Sequence, residues 1–117
     1  MKAVDNWFLP VQDLVEAKAF YAKIGLNKGF DFPEKGMVSF RANTGEAAIV
    51  LKDKQKYPSA KPALWFVVDD VRQTYASLMA LGVTFNSEPF NIGTGLAAEF
   101  EDPSGNLLGI TDYSGRK

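Results

Sequence analysis

The sequence predicts an α+β protein built from two tandem β-α-β-β-β modules. The leading observation is a repeat: the stretch Leu9 to Leu26 returns as Phe66 to Val83, 57 positions later. Asp13 and Asp70, Leu14 and Val71, Ile24 and Leu81, and Gly25 and Gly82 all stand at that one offset, so a single supersecondary unit occurs twice. Each copy also carries its own helix start and stop signals. Each helix, finally, is preceded by one aromatic and β-branched run and followed by several more.

The elements follow in order. A first strand over Asn6 to Val11 leads into a helix over Leu14 to Ile24, whose apolar or small residues Leu14, Ala17, Tyr21 and Ile24 fall at helical spacing. Asp13 followed by Glu16 is a capping-box pattern, and Gly25 suits the left-handed turn that ends a helix. Strands are expected around Lys28 to Phe32, Met37 to Ala42 and Ala47 to Lys52. The second copy has a strand over Ala63 to Val68, then a helix starting at Asp70 and Gln73 with Val71, Thr74, Leu78 and Leu81 along its face, ended by Gly82. Strands at Thr84 to Phe85, Leu96 to Glu101 and Leu107 to Tyr113 complete it. Module one is placed at about residues 1–53, a polar linker with two prolines at 54–62, and module two at about 63–117.

Composition narrows the chemistry. Thirteen basic and fourteen acidic residues nearly cancel, which argues against a nucleic-acid or anionic-membrane surface and for a small-molecule ligand or protein partner. No apolar run approaches the ~18 residues a membrane span needs, so a cytoplasmic protein is expected. The chain has neither His nor Cys. The usual ligands for transition metals and the usual parts of a nucleophilic triad are therefore missing, leaving carboxylates, Lys, Tyr and backbone.

Strand alternation sorts side chains into two faces. With Trp7, Leu9 and Val11 beneath the first helix, Asn6 and Phe8 face the other way. In the duplicate Leu64, Phe66 and Val68 lie beneath the helix, and Ala63 and Trp65 lie opposite. Phe8 and Trp65 become equivalent, and aromatic rings there serve either as the wall of a cleft or as core between sheets. The same alternation puts Met37, Ser39 and Arg41, and also Glu99, on that face. Glu99 is either a partly desolvated base or cation contact, or a solvated edge residue. Arg41 and Glu99 also suit a structural ion pair.

The runs LPVQDLVEAKAFYAKIGL, FVVDDVRQTYASLMALGV and FEDPSGNLLGI resemble the vicinal oxygen chelate superfamily, which holds glyoxalase I, extradiol dioxygenases, fosfomycin-resistance enzymes and bleomycin-resistance proteins. The resemblance spans nearly the whole chain. It implies two βαβββ modules whose mixed sheet curls around a cavity, commonly in a homodimer. Enzymes of that family hold a divalent metal through four strand residues. Those positions here are Asn6, Val50 or Ile49, Ala63 and Gly109, of which only Asn6 has a side-chain donor, so no metal and no cofactor are expected. The resemblance then implies the metal-free branch similar to bleomycin-resistance proteins, which binds planar, often cationic molecules, here through Asn6, Phe8, Met37, Ser39, Arg41, Trp65 and Glu99. The alternatives are a lyase or isomerase in which Glu99 or Lys52 moves a proton without metal, and a regulatory interaction module.

Overall fold

The computed structural model describes residues 1–115; the last two residues of the expected second module lie outside the described residues. The chain forms two compact units, residues 6–62, and residues 1–5 together with 63–117. The first contains most of β1 (Ala3–Val11), then α1 (Leu14–Lys23), β2 (Asn27–Phe32), a 3-10 turn (Pro33–Lys35), β3 (Met37–Arg41) and β4 (Ala48–Asp53). Its strands bond in the order β2-β3-β4-β1, with β1 parallel to β4 and the other pairs antiparallel. The second contains β5 (Ala63–Val67), α2 (Val71–Ala80), β6 (Phe90–Asn91), β7 (Leu96–Glu101) and β8 (Leu107–Thr111). These bond as β6-β7-β8-β5, with β5 parallel to β8 and the rest antiparallel. The two orders are the same, so the duplication read from the sequence is a duplication of topology. At the start of the chain the Lys2 N–H donates to the Val67 carbonyl at 2.9 Å, within the second unit.

Both helices begin and end as their punctuation dictates. Asp13 accepts from the Glu16 N–H at 3.0 Å, and Asp70 from the Gln73 N–H at 3.0 Å, so each carboxylate satisfies one amide that a helix start leaves unpaired. At the far ends Gly25 and Gly82 take φ of 97° and 95°. Leu26 N–H then returns to the Tyr21 carbonyl and Val83 N–H to the Leu78 carbonyl, the bond pattern of a Schellman stop.

That geometry corrects the helical stripes. Ile24 and Leu81 sit at the caps and are 55% and 81% exposed; the residues that pack instead are Leu26 and Val83, brought back by the turn. The core under α1 is Val38, Phe40 and Leu51 with Leu9, Val11, Leu14, Ala17 and Tyr21 against it. Trp7, expected in that core, is 46% exposed, because being on the helix side of a strand buries a ring only where the helix covers it. Under α2 the core is Val68, Val71, Ala98, Phe100 and Ile110, with Tyr75, Leu78 and Phe85 packed on it. The expected strand Thr84 to Phe85 reduces to a single bridge from Phe85 to Phe100, and the true edge strand is Phe90–Asn91. Phe85 serves packing instead, its ring 4.6 Å from Tyr75 and 5.0 Å from Phe100.

Asp112, one residue past β8, is buried and fastens the second unit. Its carboxylate accepts from the Val71 N–H (2.8 Å) at the first turn of α2, from the Leu96 N–H (3.0 Å) and from the Ser114 hydroxyl (2.7 Å). The polar connection after β4 is more ordered than a solvated linker requires. Tyr57 is half-buried, its hydroxyl donating to the Lys35 carbonyl at 2.7 Å, and Gln55 N–H closes on the Asp53 carboxylate at 2.9 Å.

Candidate functional site on the helix-free sheet faces

Each unit has one sheet face covered by its helix and one opposite. On the opposite face the strand register aligns Phe8, Val50 and Ser39 in one row of the 6–62 unit. The equivalent row of the second unit is Trp65, Gly109 and Glu99. The alternation argued from sequence thus places Phe8 and Ser39 on one face, and Trp65 and Glu99 on its counterpart. The register also decides which of Val50 and Ile49 matches Gly109. It is Val50, because Val50 pairs with Phe8 as Gly109 pairs with Trp65.

The second row has a built geometry. Trp65 is 7% exposed and its indole N–H donates to Glu99 Oε2 at 2.9 Å. The ring lies across Gly109 so closely that a Cβ there would stand 2.4 Å from the indole Cδ1 and Nε1. Glycine at this position is what lets the indole lie flat on the sheet. Glu99 is accordingly neither a bare edge carboxylate nor an isolated base: one oxygen orients the indole.

In the 6–62 unit Ser39 is buried and its oxygen accepts the Phe30 N–H at 2.9 Å, supporting the irregular pairing of β2 between Lys28 and Asp31. Asn6 is 5% exposed, and its side-chain nitrogen has no protein partner. Met37 pairs with Lys52 and is half-buried, while Arg41 is exposed at the end of β3. Arg41 and Glu99 belong to different units, and no ion pair between them is among the bridges of the described residues.

Phe30, Phe32 and Tyr57, which sequence reasoning did not single out, join this face, together with Lys52, named there only as a proton carrier. Phe32 pairs with Met37, and its ring stacks on Phe30 at 5.0 Å and 15°. The Lys52 ammonium stands 5.0 Å from the Phe8 ring and 4.6 Å from the Tyr57 ring. Phe30 and Phe32 are separated by one residue, which places them together by simple alternation. Tyr57 was hidden because nothing local says that a linker tyrosine folds back onto Pro33–Lys35.

The four positions at which the resemblance implies metal ligands hold Asn6, Val50, Ala63 and Gly109. Three have no side-chain donor, and any side chain at Gly109 would meet the Trp65 indole, 2.4 Å from its Cβ. Among the described residues no group of three His, Cys, Asp or Glu side chains is arranged to hold a metal. The residues present do not fit such an ion.

The family model of the Glyoxalase/Bleomycin resistance protein/Dioxygenase superfamily matches residues 3–110. The chain belongs to this superfamily. It is 34% identical over 118 residues to the uncharacterized protein YurT of Bacillus subtilis (strain 168), covering 86% of this chain and 91% of that one. Among solved structures it is similar to a superfamily member from Vibrio splendidus 12B01, with 16% identity, a TM-score of 0.69, and 92% and 96% of the two chains covered. It is also similar to methylmalonyl-CoA epimerase from Mycobacterium tuberculosis, with 18% identity, a TM-score of 0.71, and 94% and 87% covered. At these identities the structures show a shared fold. No helix of the described residues is long and apolar enough to cross a membrane.

Proposed function

We propose that this superfamily member binds a small planar aromatic molecule without a metal ion, in the manner of a bleomycin-resistance protein, and that sequestration is its role. The observation that carries the reading is the Trp65–Gly109–Glu99 row. Gly109, at a position where the resemblance implies a ligand side chain, makes room for the Trp65 indole that Glu99 orients, which supports an aromatic contact in place of a metal ligand. Phe8 occupies the equivalent position in the other unit, with the stacked Phe30 and Phe32 rings on the same face. Rings in offset or edge contact with a ligand contribute about 0.5–1.5 kcal/mol beyond area burial.

Tryptophan fluorescence tests the proposal with two flat probes, cationic proflavine and neutral 2-naphthalenemethanol. Either probe is expected to quench the emission of wild type and of Trp7→Phe, and to leave Trp65→Phe unquenched. Quenching that disappears with Trp7 instead, or no binding of either probe at millimolar concentration, overturns the reading.

A further inference from the structure

Helix α1 packs on its sheet through Leu14, Ala17 and Tyr21, and Lys18 is engaged by Asp31 at 2.9 Å. The face turned away carries Glu16, Ala19, Phe20 and Lys23, which stand at i, i+3, i+4 and i+7 and so form one stripe. All four line one open groove of about 650 Å3 along the helix. Phe20 is 55% exposed, its ring nearly perpendicular to that of Tyr21 at 5.5 Å and 85°, and Val15 and Ile24 flank it in the same exposed state. Glu16 and Lys23 lie at the two ends of the stripe. Both are exposed, and neither belongs to an ion pair among the described residues.

The duplication supplies an internal control. Shifted by 57 positions, Val15, Glu16, Phe20 and Lys23 become Arg72, Gln73, Ser77 and Ala80 on α2, while Ala19 becomes Ala76. The second helix has the same length and the same kind of cap without the outward ring or the two charges. The fold itself therefore does not require them, and an apolar patch with a charge at each end is the pattern of a contact surface.

We propose that this stripe joins two copies of the chain, with the α1 helices antiparallel across a two-fold axis that passes midway between residues 19 and 20. Under that operation the stripe is its own complement. Positions 16 and 23 are equidistant from the midpoint and near the centre line of the stripe, so Glu16 of each copy comes opposite Lys23 of the other. The two Phe20 rings meet beside the axis, and the small Ala19 lets the helices approach to about 8–10 Å. A parallel pairing would set Glu16 on Glu16 and Lys23 on Lys23, so charge selects the antiparallel one. A ten-residue helix is about 15 Å long, which puts the contact at the low end of interface sizes and makes the association weak and reversible. The contact is independent of any ligand on the helix-free faces.

Sedimentation equilibrium of the full chain tests it at about 0.01–1 mM protein and roughly 0.05 M salt, where screening is weak. Wild type is expected to self-associate. Glu16→Lys and Lys23→Glu each turn both ion pairs repulsive, because the axis counts every substitution twice, and each alone is expected to weaken association about tenfold. The double variant Glu16→Lys/Lys23→Glu restores both pairs with their signs reversed, and is expected to return to within about threefold of wild type. An equimolar mixture of the two single variants is expected to associate more tightly than either alone, since every 16–23 contact between them joins opposite charges. Phe20→Ala is expected to weaken the association as well. A wild-type mass that neither single exchange lowers, a mixture no heavier than its two components, or a Phe20→Ala protein that associates like wild type overturns the proposal. All the substituted residues are exposed, and recovery in the double variant and in the mixture separates a lost contact from lost folding.

Discussion

At the scale of single residues, the position that carries most is a glycine. Adding a methyl group at Gly109 places a Cβ 2.4 Å from the Trp65 ring, and the indole must move or the strands must part. Gly109→Ala is therefore expected to cost about 1–3 kcal/mol through overpacking, read as a lower urea midpoint at unchanged slope. Trp7 provides the contrast. A ring 46% exposed loses less on truncation than a buried one, so Trp7→Ala is expected to cost below about 1.5 kcal/mol, roughly half the value of full burial, by the same measurement. Asp112 sets a pH dependence. Burial pushes its carboxyl up, but the Leu96, Ser114 and Val71 donors together outweigh that and hold it below the ordinary carboxylate range. A carboxyl lowered on folding contributes stability that is full above its unfolded value, near 3.9, and is lost as pH falls through its folded value. Asp112→Asn is expected to be less stable than wild type at pH 7, with the difference narrowing below about pH 4 in thermal melts.

At the scale of elements, the two helices are ten residues each, too short to persist alone, and depend on caps and on the sheet beneath. Removing a capping carboxylate, Asp13→Ala or Asp70→Ala, is expected to lower stability by about 1 kcal/mol in each case. Hydrogen exchange should show the loss concentrated in the first turn of the affected helix. The helices were legible because caps are local chemistry: Asp13 needs only Glu16 three residues on, and Gly25 needs only its own φ. The packing stripe was not fully legible, since the Schellman turn carries Leu26 and Val83 inward and leaves Ile24 and Leu81 outside. Helical periodicity continues past the last helical residue on paper, whereas the backbone does not.

At the scale of the whole molecule, two copies of one unit have kept their strand order while their helix-free faces diverged. One face has Phe8 beside Val50 and Ser39, with Lys52 between two rings; the other has Trp65 lying on Gly109 against Glu99. Neither offers the donors a divalent metal needs. Adding equimolar nickel, zinc or manganese is expected to leave the melting temperature within a degree of the untreated protein. A metal at 100 times its dissociation constant would add about 2.7 kcal/mol, enough to raise the midpoint by many degrees in a chain of this size.

The sequence by itself determined the duplication, both helices with their caps, the alternation that puts Phe8 and Trp65 on the faces opposite the helices, and the absence of His and Cys that removes the usual metal ligands. These are properties of residue identity and of spacing over a few positions. Only the tertiary structure decided that Val50 rather than Ile49 matches Gly109, since register depends on how two strands distant in sequence pair. It alone decided that Glu99 is bonded to the Trp65 indole, that Trp7 lies outside the core, and that Tyr57 closes over Lys52. Each is a contact between residues far apart in the chain, and no local preference of either partner encodes the meeting.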